Sequence, residues 1–114
     1  MAVYLKRVYE PADQKDGYRV LVDRLWPRGV SREKAALDLW LKDVAPSTEL
    51  REWFGHKPER FAEFSARYES ELSDNPAAND LRKIIKDKKI VTLLYAARDP
   101  LVSHAPVLLR YISR

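Results

Sequence analysis

The sequence predicts a small α/β domain with a mainly parallel sheet and helices on both of its faces. Residues 90–96 read Ile-Val-Thr-Leu-Leu-Tyr-Ala, an almost continuous apolar run. Such a run is typical of a strand buried on both faces, as in parallel sheets. Strand-like and helix-like segments also alternate along the chain, which favours a sheet covered by helices. With 114 residues, 46% of them hydrophobic and 33% charged, the chain is expected to form one α/β domain over residues 1–114.

The first part of the chain is expected to supply three strands and one short helix. Val3–Val8 alternates weakly and is predicted as a strand, followed by a polar loop. Tyr18–Asp23 is a short β-branched run and is predicted as the second strand. Ser31 is placed to cap a short helix that runs through Ala36. Leu37–Leu41 alternates with a period of two, so it is predicted as a half-buried strand.

The rest of the chain is expected to supply four helices and the apolar strand. A short helix opens at Pro46-Ser47-Thr48 and ends near Gly55, and Pro58 suits the first position of the next helix. That helix carries an apolar stripe at spacings of three and four residues. A further helix precedes the strand, and Ser103 caps a last helix through Tyr111. The apolar faces of the middle two helices are formed by Phe61, Phe64, Tyr68 and Leu72, and by Leu81, Ile84 and Ile85.

The strands Tyr18–Asp23 and Ile90–Ala96 are expected to be adjacent, parallel and central in the sheet. Both are apolar, and both are followed by a pair of Asp and Arg residues. Helical connections between parallel strands of one sheet are right-handed.

Composition excludes several classes of chemistry. The absence of cysteine rules out thiol catalysis, iron–sulfur clusters, zinc fingers and disulfides, and it suits a cytoplasmic location. Two histidines are too few for a histidine-rich metal site, although a carboxylate site stays open. No metal-ligating residue is assigned, and the sequence does not identify a cofactor. The N-terminal segment is not a signal peptide, and no stretch approaches the roughly 18 apolar residues of a membrane helix. No contact with a membrane is therefore expected.

Charged and polar residues gather just after the two predicted central strands. In open parallel sheets, ligands bind beyond the carboxyl ends of the strands. If the two strands are neighbours, these side chains converge on one rim of the sheet. The convergent residues are Asp23, Arg24 and Arg28 on one segment, and Arg98, Asp99 and His104 on the other.

The rim has the chemistry of an anion site. Arginine can grip carboxylate or phosphate oxygens with two hydrogen bonds, and the N–H groups at a helix start add a further anion site. We therefore predict that Arg24, Arg28 and Arg98 bind an anion beside Ser103, and that Trp26 closes the pocket. Asp23, Asp99 and His104 are the candidate catalytic groups, because they can move protons.

The same residues also have purely structural interpretations. Asp23 with Arg98, or Asp99 with Arg24, would form ion pairs that fix the loops. Ser103 is expected to be a helix cap rather than a nucleophile. His56, in a turn between two helices, is likewise interpreted as a cap rather than as a second site histidine.

Basic residues concentrate in the last third of the chain. Residues 81–114 hold eight basic and two acidic residues, and five of the eight residues in 82–89 are basic. A solvated helix face is the usual explanation for such a cluster. A nucleic-acid surface is the alternative, but neither a reading motif nor base-stacking aromatics accompany it. Any nucleic-acid binding is therefore expected to be weak.

Four motifs together resemble one known family. They are DGYRVLVDRLWPRG at 16–29, LWLKDVAPSTEL at 39–50, WFGH at 53–56, and VTLLYAARD at 91–99 followed by His104. These closely resemble the YeaO-like proteins, a bacterial family (domain of unknown function 488), over almost the whole chain. The resemblance implies a compact cytoplasmic α/β domain and no particular activity.

Three functions are compatible with these observations. The leading interpretation is a domain that binds or acts on an anionic, phosphate-bearing small molecule at the strand ends. The others are a nucleic-acid-associated module and an interaction domain without a pocket. The sequence does not decide whether the domain is an enzyme, nor its oligomeric state.

Overall fold

The sheet has four strands, all parallel, in the order β1-β4-β2-β3. This architecture is taken from a computed structural model that describes residues 2–114. Met1, the first residue of the expected domain, lies outside the described residues. The strands are β1 (Ala2–Arg7), β2 (Tyr18–Leu21), β3 (Leu39–Trp40) and β4 (Ile90–Tyr95).

Five α-helices and three short 3-10 helices connect and cover the strands. The segment Gln14–Asp16 leads into β2, Lys42–Val44 follows β3, and Pro58–Arg60 continues directly into the third α-helix. None of the helices described over residues 2–114 is long and apolar enough to cross a membrane. The α-helices are α1 (Arg32–Ala35), α2 (Thr48–Phe54), α3 (Phe61–Ser73), α4 (Pro76–Asp87) and α5 (His104–Ile112).

The predicted centre of the sheet is confirmed. β2 and β4 are adjacent and parallel, with Tyr18 opposite Val91 and Leu21 opposite Leu94. β1 lies on the other side of β4. β2 is two residues shorter than predicted, although the Val22 N–H still donates to the Leu94 carbonyl at 3.0 Å. Beyond that hydrogen bond the segments that follow β2 and β4 are no longer paired through their backbones, and this leaves space at the carboxyl ends of the two strands.

The larger core lies between one face of the sheet and helices α2 to α5. Because strand side chains alternate between faces, Val20 and Val22 of the β2 segment and Val91 and Leu93 of β4 point the same way. They pack against the predicted α3 stripe, of which Phe64, Tyr68 and Leu72 are buried. The Tyr68 hydroxyl donates to the Val44 carbonyl at 2.6 Å and so fixes the segment after β3 to this core.

The second face is covered by the segment between β2 and β3. Leu21 and Leu94 pack with Ala35 of α1, and Trp26 and Trp40 close the cluster at its side. Ser31 caps α1 as predicted, by accepting a hydrogen bond from the Lys34 N–H at 3.1 Å. Both faces of the sheet are therefore covered by helices, although α1 is only four residues long.

A buried charge cluster joins α1 to the start of β2. The Arg19 guanidinium donates to the Ala35 carbonyl at 2.8 Å and to the Ala36 carbonyl at 3.1 Å. The same guanidinium forms a short ion pair with the Asp16 carboxylate, which Lys6 Nζ also approaches at 3.1 Å. Arg19 thus satisfies the last carbonyls of α1, which have no partner within that helix.

Candidate functional site

A cleft of about 560 Å³ lies beyond the carboxyl ends of β2 and β4. Its walls come from residues 23–25 and 96–99 after the two strands, residues 45–46, the end of α2 with the turn after it, and residues 102–104 at the start of α5. The strand-end rule thus located the cleft correctly from the sequence. Six of the eight predicted site residues line it, namely Asp23, Arg24, Arg98, Asp99, Ser103 and His104.

Asp23 joins the two strand ends at the floor of the cleft. Its Oδ2 accepts a hydrogen bond from the Ala96 N–H at 3.0 Å, and its backbone carbonyl accepts one from Trp40 Nε1 at 2.7 Å. Its Oδ1 is buried without a hydrogen-bond partner among the described residues. The structure therefore uses one carboxylate oxygen to hold β4 in place and leaves the other uncommitted.

His104 lies beside Asp23 and has one fixed nitrogen. Its Nε2 is 3.0 Å from the Val22 carbonyl and 3.3 Å from Asp23 Oδ1. Because a carbonyl oxygen only accepts, Nε2 must carry the proton, and its hydrogen points to Val22 rather than to the carboxylate. Over residues 2–114 no hydrogen bond reaches Nδ1, so this nitrogen has no protein partner.

Ser103 occupies the N-cap position of α5, but its side chain does not cap the helix. Ser31 and Ser47, with φ near −75° and −58°, both cap through their hydroxyls, whereas Ser103 has φ −156°. No hydrogen bond joins the Ser103 hydroxyl to the helix N–H groups. Its Oγ is buried and, within the described chain, has no partner. The predicted side-chain cap is therefore wrong, and the first N–H groups of α5 lack it.

The loop between β4 and α5 is organised by Asp99. Its Oδ1 accepts hydrogen bonds from the Leu101 N–H at 2.8 Å and the Val102 N–H at 3.1 Å. Asp99 forms no ion pair with Arg24 or with another residue of the described range. The loop is fixed by backbone hydrogen bonds, so the expected ion pairs are not the explanation for these residues.

The cleft holds three guanidiniums that have no carboxylate partner within 4.0 Å among the described side chains. Arg24 donates to the Pro46 carbonyl and the Ala45 carbonyl, each at 3.2 Å. Arg98 is exposed and makes no hydrogen bond or ion pair within residues 2–114. Arg51, from the middle of α2, is the third arginine that lines the cleft. Both nearby carboxylates accept hydrogen bonds from backbone N–H groups instead.

Trp26 and Arg28 do not line the cleft. Trp26 packs edge-on against Trp40, with 5.4 Å between ring centroids, and its Nε1 donates to the Val30 carbonyl at 2.7 Å. The Arg28 carbonyl accepts a hydrogen bond from the hydroxyl of Tyr9. After Leu25 the chain folds across the second face of the sheet, and this carries both residues away from the strand ends. Trp26 therefore covers the smaller core.

Arg51 is a charged cleft residue that the sequence analysis did not identify, and His56, which it interpreted as a cap, also lines the cleft. Gly55 ends α2 in the left-handed conformation, and His56 follows at φ 57° with its side chain exposed. Gly55 is thus the cap, and a functional role for His56 stays a prediction. The pattern of α2 contains no signal for Arg51, since a charged residue on a short exposed helix has no distinguishing neighbour.

No metal-binding arrangement is present in the described part of the chain, because no three His, Cys, Asp or Glu side chains cluster suitably. Asp23 and His104 lie close together in the cleft, whose remaining wall is largely carbon. The cleft is also lined by three arginines, by Asp99 and by Ser103.

The fold is that of a small, all-parallel α/β domain with a cleft at its strand ends. The chain belongs to the DUF488 family that includes YeaO: residues 2–114 match the family model described as "Inactive DUF488-N3 subclade". The resemblance to the YeaO-like proteins is thereby confirmed.

Relatives match over nearly their whole length. The chain is 49% identical over 111 residues to the uncharacterized proteins Rv3073c of Mycobacterium tuberculosis and Mb3100c of Mycobacterium bovis, covering 97% of this chain and 93% of each relative. It is 45% identical over 108 residues to the uncharacterized protein YeaO of Escherichia coli, covering 95% of this chain and 94% of that one. No solved structure matches the chain.

Proposed function

We propose that residues 1–114 act as a single cytoplasmic α/β domain that binds an anionic, phosphate-bearing small molecule in the strand-end cleft. The observation that carries this proposal is the set of three guanidiniums, Arg24, Arg51 and Arg98, facing one cleft without a carboxylate partner among the described side chains. A guanidinium without a counter-charge is well suited to a phosphate, since it offers a planar pair of N–H donors.

The start of α5 adds to this positive field. This helix has nine residues, so its dipole places partial positive charge at the cleft. Ser103, 1% exposed, leaves its hydroxyl unpartnered at the same point. A buried hydroxyl without a partner is unfavourable, and a bound oxygen atom would satisfy it. Helix start and hydroxyl therefore favour an anion on this side of the cleft.

Binding without turnover is the form of this function that we favour. The family model is described as inactive, and within residues 2–114 the cleft pairs no Ser or Thr hydroxyl with a hydrogen-bonded base. Asp23 and Asp99 hold the two loops through backbone N–H groups, which explains their presence without chemistry. Proton transfer by Asp23, Asp99 or His104 stays a prediction.

Thermal unfolding at low ionic strength tests the proposal. A ligand that binds only the folded state stabilises it by about 2.7 kcal/mol at one hundred times its Kd, so millimolar phosphate should raise the Tm. Arg98→Ala should abolish the rise and leave the domain folded, because the Arg98 side chain is exposed and makes no hydrogen bond within residues 2–114.

Arg28→Ala is the matched control. Arg28 is also an exposed loop arginine near β2, but it lies outside the cleft. The Arg28→Ala variant should therefore show the same rise in Tm with phosphate as the wild type. The proposal fails if phosphate leaves the wild-type Tm unchanged, or if the two variants respond alike, since equal responses would reflect net charge alone.

A further inference from the structure

The walls of the cleft are made mainly of carbon. Pro46 and Phe54 contribute on one side, Pro58 borders the turn after α2, and Val102 lies on the side of α5. Leu25, 60% exposed, stands at the edge of the cleft. A large aliphatic side chain that is mostly exposed beside an apolar cavity enlarges the surface from which a ligand would displace water.

The size of the cleft also exceeds what an inorganic anion needs. Sites for organic ligands occupy roughly 300–1,000 Å³ and are lined mostly by apolar groups, with a few polar groups that fix orientation. The cleft, at about 560 Å³, falls within that range. Inorganic phosphate would contact the guanidiniums and leave the carbon walls hydrated.

We infer that the cleft takes a phosphate ester whose organic part is an apolar body about the size of one ring. This inference rests on the proposed function, because the phosphate is the group that the guanidiniums hold. The ring lies between the Pro46 and Phe54 side of the cleft and Val102 on the side of α5, and the phosphate lies toward Arg98. Burial of the ring raises the affinity because each square ångström of apolar surface removed from water stabilises the complex.

Titration calorimetry with three probes tests this inference: inorganic phosphate, methyl phosphate and phenyl phosphate, at equal ionic strength. Phenyl phosphate should bind at least about tenfold more tightly than methyl phosphate, as expected for burial of much of one ring. If phenyl phosphate binds no better than methyl phosphate, the inference is overturned while the proposed function stands. If none of the three binds, both fall.

Val102→Thr places a hydroxyl in the wall at nearly constant volume. It should reduce the ratio of the methyl phosphate Kd to the phenyl phosphate Kd by about threefold or more, because the ring then contacts a polar group. Val30→Thr, the same substitution against the smaller core, should keep the wild-type ratio. If Val102→Thr keeps the ratio as well, the ring does not lie on this wall and the inference is wrong.

Two further variants test the same inference. Leu25→Ser changes an exposed residue and so should not impair folding. It should also lower the ratio of the methyl phosphate Kd to the phenyl phosphate Kd, and it provides the test if Val102→Thr does not fold. Arg98→Ala should weaken both esters by a similar factor, because the phosphate is common to them. A loss confined to phenyl phosphate would contradict the assigned orientation.

Discussion

Asp16→Asn tests the buried charge cluster that joins α1 to β2. Asp16 is 8% exposed and Arg19 is 4% exposed, and their ion pair is supplemented by Lys6 Nζ and by the Asp13 N–H at 3.0 Å. The substitution keeps the size of the side chain but removes the only carboxylate that the Arg19 guanidinium contacts among the described residues. Arg19 would then keep two carbonyl partners and no counter-charge.

Removing one partner of a buried ion pair typically costs about 3–5 kcal/mol, because the remaining charge stays desolvated. For Asp16→Asn we expect a loss at the lower end of this range, for two reasons. The asparagine carbonyl still accepts one hydrogen bond, and the Lys6 side chain, 19% exposed, can turn to solvent. We therefore expect the free energy of unfolding to fall by about 3 kcal/mol, which corresponds to a Tm lower by roughly 12 °C in a domain of this length.

The pH dependence gives a second measurement. Burial raises the pKa of the Asp16 carboxyl, but hydrogen bonds from the Asp13 N–H and Lys6, the Lys6 charge and Arg19 together bring it below its ordinary value of 3.8. A carboxyl with a lowered folded pKa stabilises the protein above its unfolded pKa, and this stabilisation is lost as the pH falls through the folded value. Asp16→Asn should therefore flatten the acid limb of the stability curve.

Urea unfolding at neutral pH and at pH values below 3.8, the ordinary pKa of the carboxyl, measures both effects. Asp38→Asn is the control. The Asp38 carboxylate accepts a hydrogen bond from the backbone N–H of Arg19 at 2.8 Å, but it forms no ion pair within residues 2–114. Asp16→Asn should also keep the phosphate response, since Asp16 precedes β2 and the cleft follows it. A loss of less than about 1 kcal/mol, or an unchanged acid limb, would refute the assigned role of the cluster.

Three further outcomes are expected. Tyr68→Phe should lower stability by about 1–3 kcal/mol, because the Val44 carbonyl loses its donor. Burial above all, with the charges of nearby carboxylates, raises the Tyr68 pKa well above 10.0, so the wild type should lose stability as the pH rises past that value, and the variant should lose less. In chemical denaturation, Gly17→Ala should lower the free energy of unfolding by at least about 3 kcal/mol, because φ is +65° and a Cβ would lie 2.4 Å from the Ile90 carbonyl oxygen of β4. Gly29→Ala should lower it by about 1 kcal/mol, because φ is +78° but no atom would lie within 4 Å of the Cβ. Nucleic acid bound through the basic residues of 82–89 should dissociate steeply with added salt and show no base preference in a titration, whereas tight, sequence-dependent binding would contradict this.

The centre of the sheet could be predicted because its strands are apolar on both faces, as is typical of buried parallel strands. Residues 90–96 have almost no polar position, so the strand had to be covered on both faces. Asp23 and Arg98 then followed from the rule that ligands meet parallel strands at their carboxyl ends. The position of the cleft and six of its lining residues therefore followed from the pattern.

Whether the remaining residues line the cleft depends on the path of the chain and on the packing of helices, which the hydrophobic pattern of the sequence does not specify. Trp26 and Arg28 follow β2 as closely as Arg24 does, but the chain turns toward the second sheet face after Leu25. Arg51 enters the cleft because α2 packs on α3, a contact between elements rather than a property of the local sequence. Ser103 occupies the N-cap position of α5 as its sequence position indicates, but its hydroxyl makes no capping hydrogen bond, and the local sequence does not distinguish it from Ser31 and Ser47, which do.

The strand order has a consequence for how the chain reaches its folded state. The last strand made, β4, lies between the two strands that are made early, β1 and β2, with Ala2 opposite Ile90 and Tyr18 opposite Val91. No sheet larger than the short β2–β3 pair can therefore form during synthesis until residues 90–95 have left the ribosome. Contacts so distant along the chain slow folding and keep apolar strand faces uncovered meanwhile. The sheet and its cleft should consequently form in a single late step, and a nascent chain that lacks β4 should leave the apolar faces of β1 and β2 uncovered.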